Sequence, residues 1–140
     1  MAAKGAGVGR SVLITGCSSG IGAAAAHGLR ARGWTVIAAA RNPEDVARLQ
    51  AEGFAAVRID HHDSASIAQG WAEAVALAGG RVDALFNNAG HGMPGAAEDL
   101  PRGALEEVFS SNLFGVHFIF IDFTLTWTLG FYLSPKAFVD

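Results

Sequence analysis

The sequence predicts a doubly wound α/β fold on a parallel sheet of four to five strands. Four short apolar runs alternate with three helical stretches between Ser11 and Phe86. The runs are mainly apolar, as in strands covered on both faces, and show no regular alternation with polar residues. The 18 glycines in 140 residues fall mainly at the junctions between segments, where they punctuate turns. Such alternation implies right-handed crossovers and the strand order 3-2-1-4.

The elements follow in order. Ser11 to Thr15 enters a Gly/Ser cluster as a buried strand. Ile21 to Arg32 is alanine-rich and stops at Gly33, which predicts a helix with a glycine end. Thr35 to Ala40 is the second strand. In Asn42-Pro43-Glu44-Asp45, Asn42 is a capping residue, Pro43 suits the first helical position and the acids complement the helix dipole, so a helix is expected to about Glu52. Ala55 to Ile59 is the third strand. Asp63 or Ser64 caps a helix to Ala78, and Gly79-Gly80 end it. Val82 to Phe86 is the fourth strand. A further helix is expected from Asp99 or Leu100. Along it Leu105, Val108, Phe109, Asn112 and Val116 share one face, so an asparagine falls in an apolar stripe. Such an amide needs partners: either it serves the function or it bonds to neighbouring backbone.

Composition narrows the function. With 51% hydrophobic and 16% charged residues the chain is globular rather than disordered. A net charge of −3 leaves no basic face for nucleic acid. The lone Cys17 allows no internal disulfide and fits a reducing compartment. The apolar run Val12-Leu13-Ile14 is too short for a signal-peptide core, so a cytoplasmic protein is expected.

Thr15-Gly16-Cys17-Ser18-Ser19-Gly20-Ile21-Gly22 lies between the first strand and the first helix. Glycines let a backbone turn sharply and approach a ligand, and the helix start offers free N–H groups to a pyrophosphate. Cys17 lies near that helix start, which would lower its pKa and make it redox-sensitive; otherwise it is a small residue that fits beside phosphates. Asn87-Asn88-Ala89-Gly90 follows the fourth strand. TGxxxGIG and Asn-Asn-Ala-Gly in this order resemble the short-chain dehydrogenase/reductase family from about Ser11 to His117. The spacing differs from the TGxxGxxG of extended epimerases and dehydratases.

The resemblance implies a Rossmann-type domain whose cofactor contacts fall at Gly16, Ser18, Ser19, Gly20, Ile21 and Gly22. It adds Asn88, Ala89 and Gly90 after the fourth strand. It also implies that Asp60 contacts adenine, though Asp60 can instead be a turn aspartate. Asn112, 25 residues after Asn87, matches the family's catalytic asparagine. The second strand ends in Ala-Ala-Ala-Arg41. With no acid there to repel a 2′-phosphate and a guanidinium to pair with one, NADP is expected over NAD. The alternative is a solvated loop cation. His61-His62 raises the question of metal, but adjacent strand residues point to opposite faces and no ligand cluster accompanies them, so no metal is expected.

The resemblance further implies hydride transfer between nicotinamide and a small carbonyl or alcohol, with a tyrosine and a lysine four residues later as the acid/base pair. Tyr132 and Lys136 have that spacing. They lie too close to Asn112, Pro135 interrupts them, and no strand ending in a catalytic serine precedes them. Residues 1–117 are therefore expected to form the NAD(P)-binding domain, and residues 118–140 an aberrant apolar tail. From Phe118 to Lys136 there is no Ala, Val, Arg or Glu, which suggests a frameshift or read-through. In the tail Phe123, Leu125, Trp127, Leu129 and Phe131 alternate with polar or small residues, a strand pattern that could pair beside the fourth strand. A membrane span over Leu113 to Leu133 is disfavoured by Asp122. Two functions stay open: an NADP-dependent oxidoreductase, and a non-catalytic nucleotide-binding fragment. Oligomeric state also stays open.

Overall fold

The computed structural model describes residues 9–96 and 98–133, with side chains through residue 126. Four strands, β1 (Ser11–Ile14), β2 (Thr35–Ala40), β3 (Ala55–Arg58) and β4 (Ala84–Phe86), form one sheet in the order β3-β2-β1-β4. All pairs are parallel, and Ile14 stands opposite both Ala38 and Phe86. Strand number and order agree with the sequence expectation.

Side chains of successive strand residues leave opposite faces of the sheet, so an all-apolar strand feeds two cores. Val12, Ile14, Val36 and Ala38 pack on one face with Ala26 of α1 (Gly20–Ala31) and Leu49 of α2 (Pro43–Ala51). Leu13, Ile37, Ala39 and Val57 pack on the other with Ile67 and Trp71 of α3 (Ser64–Leu77). Asp63 caps α3 by accepting from the N–H groups of Ala65 and Ser66 at 2.9 and 3.2 Å. Asn42 stands at the N-cap of α2, but its side chain makes no capping bond; Pro43 and the acids Glu44 and Asp45 of the first turn remain.

The helix after β4 starts later than expected. Pro101 is its N-cap and α4 runs over Arg102–Phe109. A π-helical segment, Ser110–Gly115, follows and leads directly into α5 (Val116–Leu133). The wider π turn breaks the 3.6-residue phase, and the shared apolar stripe is not buried: Leu105 and Phe109 are 61% and 48% exposed, and Asn112 is exposed.

The tail segment whose alternation fits a strand is a helix as far as Leu133. Ile119, Phe123 and Thr126 recur at i, i+4 and i+7, and this stripe packs on the sheet and α3. Ile119 is fully buried and Phe123 meets Trp71 edge-on, with ring centroids 5.9 Å apart. The indole Nε1 of Trp71 donates to Thr126 Oγ1 at 3.0 Å. Thr124 and Thr126 turn their hydroxyls onto the Ile121 and Asp122 carbonyls, so the alternating threonines that suggested a strand are satisfied within the helix. Among the described residues β4 has no strand on its outer side. The continuous helix Arg102–Thr126 is long and apolar enough to cross a membrane by length and composition.

Candidate functional site

At the carboxyl edge of the sheet, the chain leaves β1 toward one side while β4 pairs on the other. An open α/β sheet offers its ligand crevice at such a switch point. The Gly-rich turn occupies it. Gly16 and Gly20 take the left-handed backbone, with φ of +71° and +58°. A Cβ on Gly16 would lie 2.8 Å from Ala89 Cα, and one on Gly22 would lie 2.6 Å from Asn88 Nδ2.

The two motifs are thus locked together. The Thr15 hydroxyl accepts from the N–H groups of Asn88 and Ala89, each at 3.0 Å. The Asn88 amide donates back to the carbonyls of Thr15 and Gly16 at 3.0 and 3.3 Å. Cys17 anchors the turn from below. Its N–H donates to Ala39 O at 2.9 Å and its thiol to Ile14 O at 3.1 Å. Burial pushes that thiol up to about 11, against a smaller downward pull from the Ala39 backbone. Of the two readings of Cys17 the structure favours the small packed residue over the redox-sensitive one: the side chain is fully buried and burial outweighs any pull from the helix dipole.

Above the turn, α1 begins without a side-chain cap at Ser19 and without an acid in its first turn. Its leading N–H groups and positive dipole end face an open cleft of about 590 Å³. Gly16, Ser18, Ser19 and Ile21 line one wall, and Asn88, Ala89 and Gly90 another. Arg41 and Asp60 also line the cleft, with Asn42, Asp45, His61, His62, His91 and Glu107. Arg41 is exposed, and its guanidinium has no ion pair among the described residues. Asp60 is held by the His62 N–H at 3.1 Å and by Arg58 at 3.5 Å, so it organises its own turn while lining the cleft. Gly20 and Gly22 shape the turn without lining the cleft. His61 and His62 lie in a turn, His61 buried and His62 exposed. Among the described residues no group of three or more His, Cys, Asp or Glu could hold a metal ion.

Asn112 is exposed and does not line the cleft, whereas its neighbour Ser111 does. The Asn112 Oδ1 accepts from His91 N–H at 3.1 Å and its Nδ2 donates to His91 O at 2.7 Å. The side chain therefore ties the π-helical segment to the residue that follows Gly90. Tyr132 lies on α5, 20 residues beyond Asn112 on one helical rod, which separates them by about 30 Å at 1.5 Å per residue. Lys136 lies outside the described residues.

Several contributors are absent from the sequence reading. Arg48 of α2 donates to Ser18 O at 2.8 Å and pairs with Asp45 and Glu52, so a neighbouring helix supports the Gly-rich turn. The Asp45-Arg48-Glu52 spacing at i+3 and i+4 announces the ion pairs but not the contact to Ser18. Thr15 and His91 bridge the motifs through contacts between residues distant in sequence, for which the sequence offers no local signal.

Fold and crevice together define a doubly wound α/β domain of Rossmann type, with its ligand cleft at the switch point. The chain belongs to the short-chain dehydrogenase family, whose model matches residues 10–125. Over 108 residues it is 44% identical to the uncharacterized oxidoreductase YbbO of Escherichia coli (strain K12), covering 77% of this chain and 40% of that protein. It is 37% identical over 117 residues to retinol dehydrogenase 8 of Bos taurus, covering 76% of this chain and 36% of that protein. A short-chain dehydrogenase from Streptomyces avermitilis superposes with a TM-score of 0.76 at 34% identity, over 84% of this chain and 44% of that one. A variant actinorhodin polyketide ketoreductase solved with NADPH gives 0.76 at 29%, over 89% and 49%. The chain thus spans about two fifths of the length of the curated relatives it matches.

Proposed function

We propose that this chain is the cofactor-binding part of an NADP-dependent oxidoreductase that acts on a small carbonyl or alcohol. The observation that carries the reading is the interlocked turn: Gly16 and Gly22 pack so closely on Ala89 and Asn88 that a Cβ would overlap them, and the helix start that follows has neither cap nor acid. Such a cradle fits a pyrophosphate. Gly16, Ser18, Ser19 and Ile21 would hold the phosphates, on a turn that Gly20 and Gly22 shape. Asn88, Ala89 and Gly90 would form the opposite wall, and Asp60 would face the adenine end. Arg41, exposed and without an ion pair, would bind the 2′-phosphate, and the nearby Asp45 is already neutralised by Arg48 at 2.8 Å. A bound nicotinamide cofactor supplies the hydride. Asn112, with both amide atoms on His91, would fix the helix beside the cleft rather than exchange protons itself.

A second reading rests on one observation. Tyr132, the chain's single tyrosine, is about 30 Å along the helix from Asn112. The 140 residues by themselves are therefore expected to bind the cofactor without turning it over. A cytoplasmic setting fits the single buried thiol. The test is calorimetric titration with NADPH and NADH, followed by an assay of NADPH oxidation over a panel of ketones and aldehydes. Binding of NADPH in preference to NADH, without oxidation, supports both readings. Oxidation of NADPH by this chain overturns the second, and absence of nucleotide binding overturns the first.

A further inference from the structure

His61 belongs to no role described so far, and its setting is unusual. It is 7% exposed, at the end of β3 beside Asp60. Its Nδ1 lies 3.3 Å from the Ser111 carbonyl. A carbonyl oxygen only accepts, so Nδ1 carries the proton in this bond and Nε2 presents a lone pair. Nε2 is enclosed and has no hydrogen-bond partner among the described residues. The same residue packs against the π-helical segment a second time: a Cβ on Gly115 would lie 2.5 Å from His61 Cβ and 2.6 Å from its carbonyl oxygen. His61 thus touches both ends of the turn that carries Asn112.

We propose that His61 is a positioning residue for this turn: as the neutral tautomer protonated on Nδ1 it ties Ser111 to the end of β3, and a second proton releases the turn. Protonation would place an N–H⁺ on Nε2, where the enclosed site offers no acceptor. Burial already pushes the His61 imidazole below the ordinary histidine range, against smaller upward pulls from the Ser111 carbonyl and Asp60, and His62 adds a further downward push. The titratable groups around it are Asp60 and His62 on its own turn, with His91 and Glu107 lining the same cleft. Asp60 is engaged by His62 N–H and Arg58, and His91 faces Glu107 at 3.8 Å. The segment Ser110–Gly115 carries no titratable side chain.

The inference does not depend on the cofactor reading, because its readout needs no nucleotide. Backbone hydrogen exchange at residues 111–116, corrected for the chemical rate, is measured at pH 7.5 and 5.5, with Leu13 in β1 as a global reference. The turn should lose up to about tenfold in protection on acidification, the span expected when the released histidine titrates near 6.5 and the packed one lower, and Leu13, whose global opening frees the same histidine, should lose no more than that factor through it. His61→Asn can keep a donor near Nδ1 without titrating, and should hold its protection at both pH values. His61→Ala should be poorly protected at both. Should a variant fail to fold, NMR titration of the wild-type His61 ring decides: the Ser111 and Gly115 amide shifts should move with its midpoint. Protection independent of pH, an equal loss in His61→Asn, or amide shifts that ignore the ring would overturn the proposal.

Discussion

Gly16 and Ala89 are in backbone contact: a Cβ on Gly16 would lie 2.8 Å from Ala89 Cα, although 73 residues separate them. Neither side can give way cheaply, because the Ala89 N–H and that of its neighbour Asn88 are both held by the Thr15 hydroxyl at 3.0 Å. The cleft exists because the turns that follow two neighbouring strands, β1 and β4, share one space.

Gly16→Ala should therefore lose more stability than Gly20→Ala. Both positions need a left-handed backbone, costing an alanine roughly 1–2 kcal/mol. Only Gly16 adds an overlap, since a Cβ on Gly20 meets nothing within 4 Å. Thermal unfolding of the two variants should differ by several degrees, at about 4 °C per kcal/mol. Equal melting temperatures would show that the turn relaxes freely.

Arg41→Ala tests the cofactor preference. A charge-assisted bond to phosphate is worth about 1.5–3 kcal/mol, so NADPH affinity should fall roughly 10- to 100-fold while NADH affinity stays put. The difference should shrink with added salt, because Arg41 is exposed. Equal losses for both nucleotides would mean that Arg41 is only a solvated cation.

Cys17 should resist alkylation in the folded protein at pH 8 and react fully once unfolded, because its thiol is fully buried and pushed up to about 11. The sign for stability follows from the same shift. A group whose pKa is raised on folding adds stability that is present below the unfolded value of 9.0 and is lost as pH rises toward about 11. Alkaline unfolding of Cys17→Ala should lack this contribution. Rapid labelling of the native thiol at pH 8 would refute the buried, neutral assignment.

The fold and the two motifs were legible because they are local. Continuous apolar runs announce buried parallel strands, and a Gly-rich turn between strand and helix announces a ligand crevice. The support of that crevice was not legible. Arg48 reaches Ser18 across 30 residues and Thr15 reaches Ala89 across 74, distances over which no periodicity speaks. The conformation of the tail was not legible for a different reason. Its alternating residues satisfy a period of two while Ile119, Phe123 and Thr126 satisfy a helical period, and the choice rests on Trp71, whose indole takes Thr126 and whose ring meets Phe123. Tertiary contact chose the helix over the β-propensity of the residues.

That choice yields the sharpest test of the tail. In a strand, Phe123 and Leu125 would share a face, and truncating either would cost about the same. In α5 they part: Phe123 packs against the Leu13 and Ile37 core, while Leu125 is 52% exposed. Phe123→Ala should cost roughly 2 kcal/mol, about half the loss for a fully buried phenylalanine. Leu125→Ala should stay within about 0.5 kcal/mol of wild type. Ile119→Ala, fully buried one turn before Phe123, should cost about 2–5 kcal/mol. Urea unfolding of the three variants reads the order directly. Comparable losses for Phe123→Ala and Leu125→Ala would return the tail to a strand, and no loss in any of them would detach α5 from the sheet.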